Sequence, residues 1–156
     1  ITLSMLGSRE KFNQRKDILA NLYAGQLCQV ILSEEPDLYA VGTLELEPAY
    51  DPLTGKGQMV LSCSDGDAYR YHTEETEVSI TGGGTAILNN DYMPVVPTVV
   101  TTAETALSWS IGEDVFRKSV SAGTWTFPEL ELQEGKNSVS ITGEGTTTFR
   151  YREGRL

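Results

Sequence analysis

The sequence predicts a mainly β chain. Its first domain is α+β, with one helix packed on an antiparallel sheet that carries an extended hairpin arm, and a β-sandwich follows. Three observations predict this. Only Arg9–Ala24 spaces its apolar residues as a helix does. Beyond His72, short runs alternate apolar and polar residues at the interval of sandwich strands. Explicit turns, most of them glycine-bearing, separate many of those runs.

In the helix, Phe12, Leu19, Leu22 and Tyr23 lie along one side, with Arg9, Glu10, Lys11, Gln14 and Asp17 elsewhere. Ser8 is placed to cap its start and Gly25 to end it in the left-handed conformation. Three strands are expected next, over residues 26–32, 39–47 and 57–63. Pro36 and Asp37 mark the first turn. Between the second and third strands lies Pro48–Lys56 (PAYDPLTGK), whose two prolines and glycine predict an excursion beyond a tight hairpin. Tyr50, Asp51, Pro52 and Leu53 stand in this arm.

A boundary is expected near residues 64–72, giving domains 1–68 and 69–156. The turn-rich Ser64–Asp67 precedes Tyr69 and Tyr71, where extended character resumes. Strands are then expected at 77–81, 85–88, 98–102, 106–111, 115–120, 124–127, 138–142 and 147–152. Leu107, Trp109 and Ile111 face one way, Ser108 and Ser110 the other. Val139 and Ile141 alternate with Ser138, Ser140 and Thr142 in the same manner, and these inward sets supply the core.

Charge narrows the function. The 156 residues carry a net charge of -10, and neither half has a basic excess: 6 Lys/Arg face 10 Asp/Glu in residues 1–70, and 6 face 12 in residues 71–156. A nucleic-acid binder gains affinity by neutralising phosphates, so no specific nucleic acid is expected as a partner. No apolar run approaches the ~20 residues of a membrane helix, so no membrane partner is expected either.

Catalytic templates find no match. His72 is the only histidine, and no nucleophile elbow accompanies it. Gly82–Gly84 is followed by neither Lys-Ser/Thr nor a helix, so it reads as a turn and not a phosphate cradle. Asp65 and Asp67 offer two carboxylates where calcium takes six to eight oxygens. Cys28 and Cys63 lie on the apolar sides of their strands, and we expect two buried free thiols; without a CxxC they suggest no metal. No enzyme activity, metal or cofactor is expected. The aromatics allow a different reading, a stand-alone carbohydrate-binding sandwich with Tyr69, Tyr71 and Tyr92 at its surface. Trp109, alternating inward, belongs to the core, and Trp125 and Phe127 on one face join it.

Several local sequences resemble one family. Gly57–Asp65 (GQMVLSCSD) followed by Ala68–Tyr71 (AYRY) resembles a strand, turn and aromatic exit into a second domain, with Gly66 standing where that family has proline. Ile87–Pro97 (ILNNDYMPVVP) resembles its asparagine-then-proline lead into the sandwich. Leu130–Gly143 (LELQEGKNSVSITG) resembles its penultimate hairpin, and Phe149–Leu156 (FRYREGRL) its basic-aromatic last strand. The ordered set, across nearly the whole chain, is similar to the distal tail (Dit) proteins of long-tailed phages and prophages.

The resemblance implies a structural virion component made in the bacterial host cytoplasm and placed in the tail. Its first domain would build a hexameric ring, with Tyr50, Asp51, Pro52 and Leu53 of the arm as the candidate assembly residues reaching a neighbouring subunit. Its second, a galectin-like β-sandwich, would project outward. Its partners would be further copies of itself, the tail tube, the tape-measure protein, and tail-tip or receptor-binding proteins. Family members carry more strands before the segment that starts here, and the chain opens at Ile1 without an initiator Met, so either a truncated form with an upstream segment missing or a shortened relative is expected.

Overall fold

A computed structural model describes residues 1–156. The protein is mainly β, with antiparallel sheets and one helix. The chain divides into two compact units, Ile1–Ala68 and Tyr69–Leu156.

Unit 1 contains β1 (Thr2–Leu6), α1 (Arg9–Tyr23), β2 (Leu27–Leu32), β3 (Glu35–Asp51) and β4 (Lys56–Ser64). β3 is the spine. β4 pairs with its second half, from Thr43↔Ser64 out to Asp51↔Lys56, and β2 with its first half. β1 adds to the outer side of β4, from Thr2↔Val60 to Leu6↔Lys56. Residues paired across the ladder share a face. Leu3, Met5, Met59, Gly57, Pro48 and Tyr50 therefore lie on one face, which α1 meets. Glu45, Glu47, Ser62 and Ser64 lie on the other.

The helix begins as its sequence dictates. The Ser8 hydroxyl accepts the Lys11 N–H, and Gly25 stands at φ +73° just past the end. Only Phe12 is fully buried in it. Phe12 fits because position 57 is glycine: a Cβ there would come within 2.3 Å of the Phe12 ring.

Three expectations for unit 1 are corrected. The β2–β3 turn falls at Ser33–Glu34, not at Pro36–Asp37. Both of those residues lie inside β3 next to a register shift at Ile31/Leu32, since proline is tolerated near a strand's start and at bulges. Pro48–Lys56 is no excursion: pairing runs unbroken to Asp51↔Lys56, so only Pro52–Gly55 form the turn. The helix's apolar side is not all covered, for Leu22 and Tyr23 are exposed.

Unit 2 contains β5 (Arg70–His72), β6 (Thr76–Thr81), β7 (Gly84–Asn90), β8 (Thr98–Thr101), β9 (Thr105–Ile111), β10 (Asp114–Val120), β11 (Gly123–Thr126), β12 (Gly135–Gly143), β13 (Thr146–Tyr151) and β14 (Gly154–Arg155). Two four-stranded sheets form, ordered β10-β9-β12-β7 and β11-β8-β13-β6, and the short β5 and β14 pair with each other. Alternation along these strands sends Ala86, Leu88, Leu107, Trp109, Val139 and Ile141 of the first sheet, and Val99, Phe149 and Tyr151 of the second, into one hydrophobic cluster. Val120, Phe127, Leu130 and Leu132 complete it. Phe127 lies one residue past β11, although the sequence places it in that strand. Gly112, at φ +61°, opens the two-residue β9–β10 turn, the position where a hairpin of this length takes glycine. The Gly82–Gly83 turn links strands of different sheets.

Candidate functional site

Unit 1 distributes its apolar residues unlike unit 2. Of the 17 buried hydrophobic residues in the chain, only Phe12, Leu38, Leu44 and Met59 belong to unit 1. Of the 14 exposed large ones, ten belong to it, including Leu3, Ile18, Leu22, Leu27, Ile31 and Leu53. Scattered exposed leucines are ordinary on a protein surface. Here they outnumber the buried set within one small unit, and they fall on adjoining elements.

The arm itself is built to hold a shape. Tyr50 is half-buried. Its hydroxyl donates to the Gly7 carbonyl at 2.9 Å, its ring lies 5.3 Å from that of Phe12, and the Arg9 guanidinium sits 5.7 Å from its centre. Asp51 closes the turn: one carboxylate oxygen accepts the Leu53 N–H at 2.9 Å and the other the Thr54 hydroxyl at 2.6 Å. These bonds, the Thr54 hydroxyl first and the Leu53 N–H next, hold the exposed carboxyl below its usual pKa. Gly55 stands at φ +65°, and its carbonyl accepts the Gly7 N–H at 3.0 Å. Of the four arm residues named from sequence, Tyr50 and Asp51 therefore act within the chain. Pro52 and Leu53 are presented outward, Leu53 at 94% exposure.

A groove of about 350 Å³ opens between α1 and β1, lined by Leu3, Met5, Arg15, Ile18, Leu19 and Met59. Sequence reasoning named Leu19 on the helix and Met59 on its strand but not the groove. Its outer wall is β1, whose five residues carry too short a pattern to mark a strand.

The three candidate tyrosines of unit 2 come together. Tyr69 and Tyr92 rings lie 6.4 Å apart, tilted by 42°. Tyr71 pairs with Gly154, whose carbonyl accepts the Met93 N–H at 2.9 Å and the Tyr92 N–H at 3.3 Å. The tryptophans are not part of this group. Trp109 is buried and donates its indole N–H to the Glu129 carbonyl at 2.9 Å. Trp125 is half-buried, packs against the same core and donates to the Ser121 carbonyl at 3.1 Å.

His72 sits beside Asp91, Nε2 to Oδ2 at 3.5 Å, while Arg152 donates to the His72 and Thr73 carbonyls. That arrangement ties β5 to the segment between β13 and β14. No group of three or more His, Cys, Asp or Glu side chains gathers as metal ligands, and no helix is long and apolar enough to cross a membrane.

The cysteines differ from expectation. Cys28 is half-buried and Cys63, near the end of β4, is exposed. Both are free thiols. Cys28 pairs with Gly42 and Cys63 with Leu44, so β3 lies between them. Two strand spacings, about 10 Å, exceed the reach of a disulfide.

No family model and no curated protein matches this chain. Among solved structures, a de novo designed double-stranded β-helix is similar over 53% of this chain and 100% of its own, at 13% identity and a TM-score of 0.32. A likeness at that score carries no argument about fold or function.

Proposed function

We propose that this chain is a structural component at the distal end of a long-tailed phage or prophage tail. It joins the tail tube and tape-measure protein to tail-tip or receptor-binding proteins. Unit 1 builds a closed ring from identical copies, and unit 2, read as a galectin-like β-sandwich, carries the outward attachments. The role makes and breaks no covalent bond.

One observation carries this reading: unit 1 exposes more large apolar side chains than it buries, while unit 2 encloses a full core of its own. An exposed apolar surface of this kind marks an interaction site. Identical head-to-tail contacts that close on themselves satisfy such surfaces without open-ended growth. The acid excess suits the wall of a conduit that DNA traverses without adhering. Sedimentation across a wide concentration range tests it. A hexamer, or two stacked rings, is expected at high concentration, with monomer on dilution. A monomer at every concentration refutes the ring.

A second reading, a stand-alone carbohydrate-binding module, draws on the gathering of Tyr69, Tyr71 and Tyr92. It requires a sugar-array signal that Tyr92→Ala abolishes.

A further inference from the structure

Unit 1 carries both halves of a contact that it cannot close within one copy. One half is the arm tip, where Leu53 stands 94% exposed on a turn fixed by Asp51. The other is the apolar groove between α1 and β1, with Leu3, Ile18, Leu19 and Met59 in its walls and the exposed Arg15 among them. At about 350 Å³ it exceeds the volume of one leucine side chain.

The register shows why a chain does not fill its own groove. Leu3 and Met59 share one row of the ladder, and Met5, the lining residue nearest the tip, pairs with Gly57, one residue short of the last pair at Lys56. The tip therefore lies beyond the groove along the strand direction and points away from it. Pairing is continuous through Asp51↔Lys56, and β1 braces the same stretch to Leu6↔Lys56. The hairpin cannot fold back without breaking those pairs. Any arm tip that enters the groove therefore comes from another copy. Charge agrees: the carboxylate beside the incoming leucine is Asp51, and the groove supplies the Arg15 guanidinium. The carboxylate's two internal bonds leave lone pairs for a further donor.

We propose that Leu53 of one copy seats in the α1–β1 groove of the next, with its Asp51 facing Arg15. This inference rests on the assembly reading and deepens it by naming the two surfaces. The contact is heterologous, since arm and groove are different patches, so repetition produces a ring or an open chain and never a two-fold pair.

The test uses the full chain and two variants, Leu53→Glu, which spoils the arm, and Ile18→Glu, which spoils the groove. Both side chains are more than half exposed, and circular dichroism confirms that each variant folds. By sedimentation, each alone is expected to need at least a tenfold higher concentration to assemble. Mixed in equal amounts, they retain one good arm and one good groove per pair, so they are expected to form heterodimers and nothing larger. If the parent chain assembles and either variant assembles equally well, or if the mixture stays monomeric, this docking is wrong and the ring reading stands. If the parent chain never assembles, both fall.

Discussion

Replacing Trp109 by Ala removes the largest side chain in the core of unit 2. The residue is 4% exposed. Its ring stacks on Phe116 with centroids 5.6 Å apart and meets Phe127 at 6.1 Å. Truncating a buried Trp costs about 3–5 kcal/mol. The upper half of that range is expected, because the hole is walled by hydrogen-bonded strands: Trp109 pairs with Phe116 on one side and Val139 on the other. The indole N–H bond to the Glu129 carbonyl adds little, roughly 0.5–1.5 kcal/mol, since Glu129 is exposed and water replaces the donor. Trp109→Phe isolates that smaller part with much of the packing kept. For a unit of this size each kcal/mol moves Tm by about 4–8 °C, so the Ala variant is expected to melt at least ~15 °C lower. Urea titration followed by far-UV circular dichroism measures the change without relying on the fluorescence the variant loses. A loss under ~1 kcal/mol would falsify the placement of Trp109 in the core and return it to the surface as a sugar platform.

Three further outcomes follow from the geometry. Gly57→Ala puts a methyl group 2.3 Å from the Phe12 ring and is expected to destabilise unit 1 by about 1–3 kcal/mol, as overpacking does; hydrogen exchange should show α1 losing protection while unit 2 keeps its own, and equal protection in α1 refutes the contact. Burial, with the nearby Glu153 charge adding to it, pushes the Tyr151 phenol up to about 12. An unfolded tyrosine ionises near 10, so between pH 10 and 12 the folded chain holds the extra proton, and stability present below pH 10 is lost as pH rises through 12; Tyr151→Phe should flatten that fall and remove a late-ionising component from an ultraviolet titration. Native-state thiol titration should modify the exposed Cys63 quickly and the half-buried Cys28 slowly, whereas finding no thiol in denaturant would contradict the strand register.

What was legible in the sequence is what short-range pattern encodes. Leu107, Trp109, Val139 and Ile141 alternate with hydroxyl residues, and each is buried. Ser8 and Gly25 bracket the helix as their chemistry requires. The misreadings share a cause, which is that local signals do not say what covers them. Pro36 and Asp37 carry turn chemistry, yet a bulge beside an exposed strand start absorbs them. Leu22 and Tyr23 complete an apolar helix side, but of the helix only Phe12 is buried. Tyr50 reads as a reaching aromatic on the arm, and only the fold shows Gly7, Arg9 and Phe12 holding it. The groove was illegible because its walls are residues 3 to 59, joined by the register of β1 on β4 and by the crossing of α1.

The two units divide the work of folding differently, and the division bears on the proposed role. Unit 2 encloses its own core: two sheets close over one cluster, and the Asn90 amide N–H donates to the Met93 and Leu132 carbonyls. Unit 1 has four buried hydrophobic residues beneath a seventeen-residue strand and a fifteen-residue helix. A unit that small and that open is marginal alone. Under the assembly reading, the apolar side chains it leaves in water are the ones a neighbour covers, so each contact completes a core as well as a ring. Stability gained by binding depends on concentration. Unit 1 would then set firmly only where copies accumulate, at the growing tail, while unit 2 is folded beforehand. On that reading the chain would present unit 2 first and its ring surface last, which would keep free subunits from locking together early.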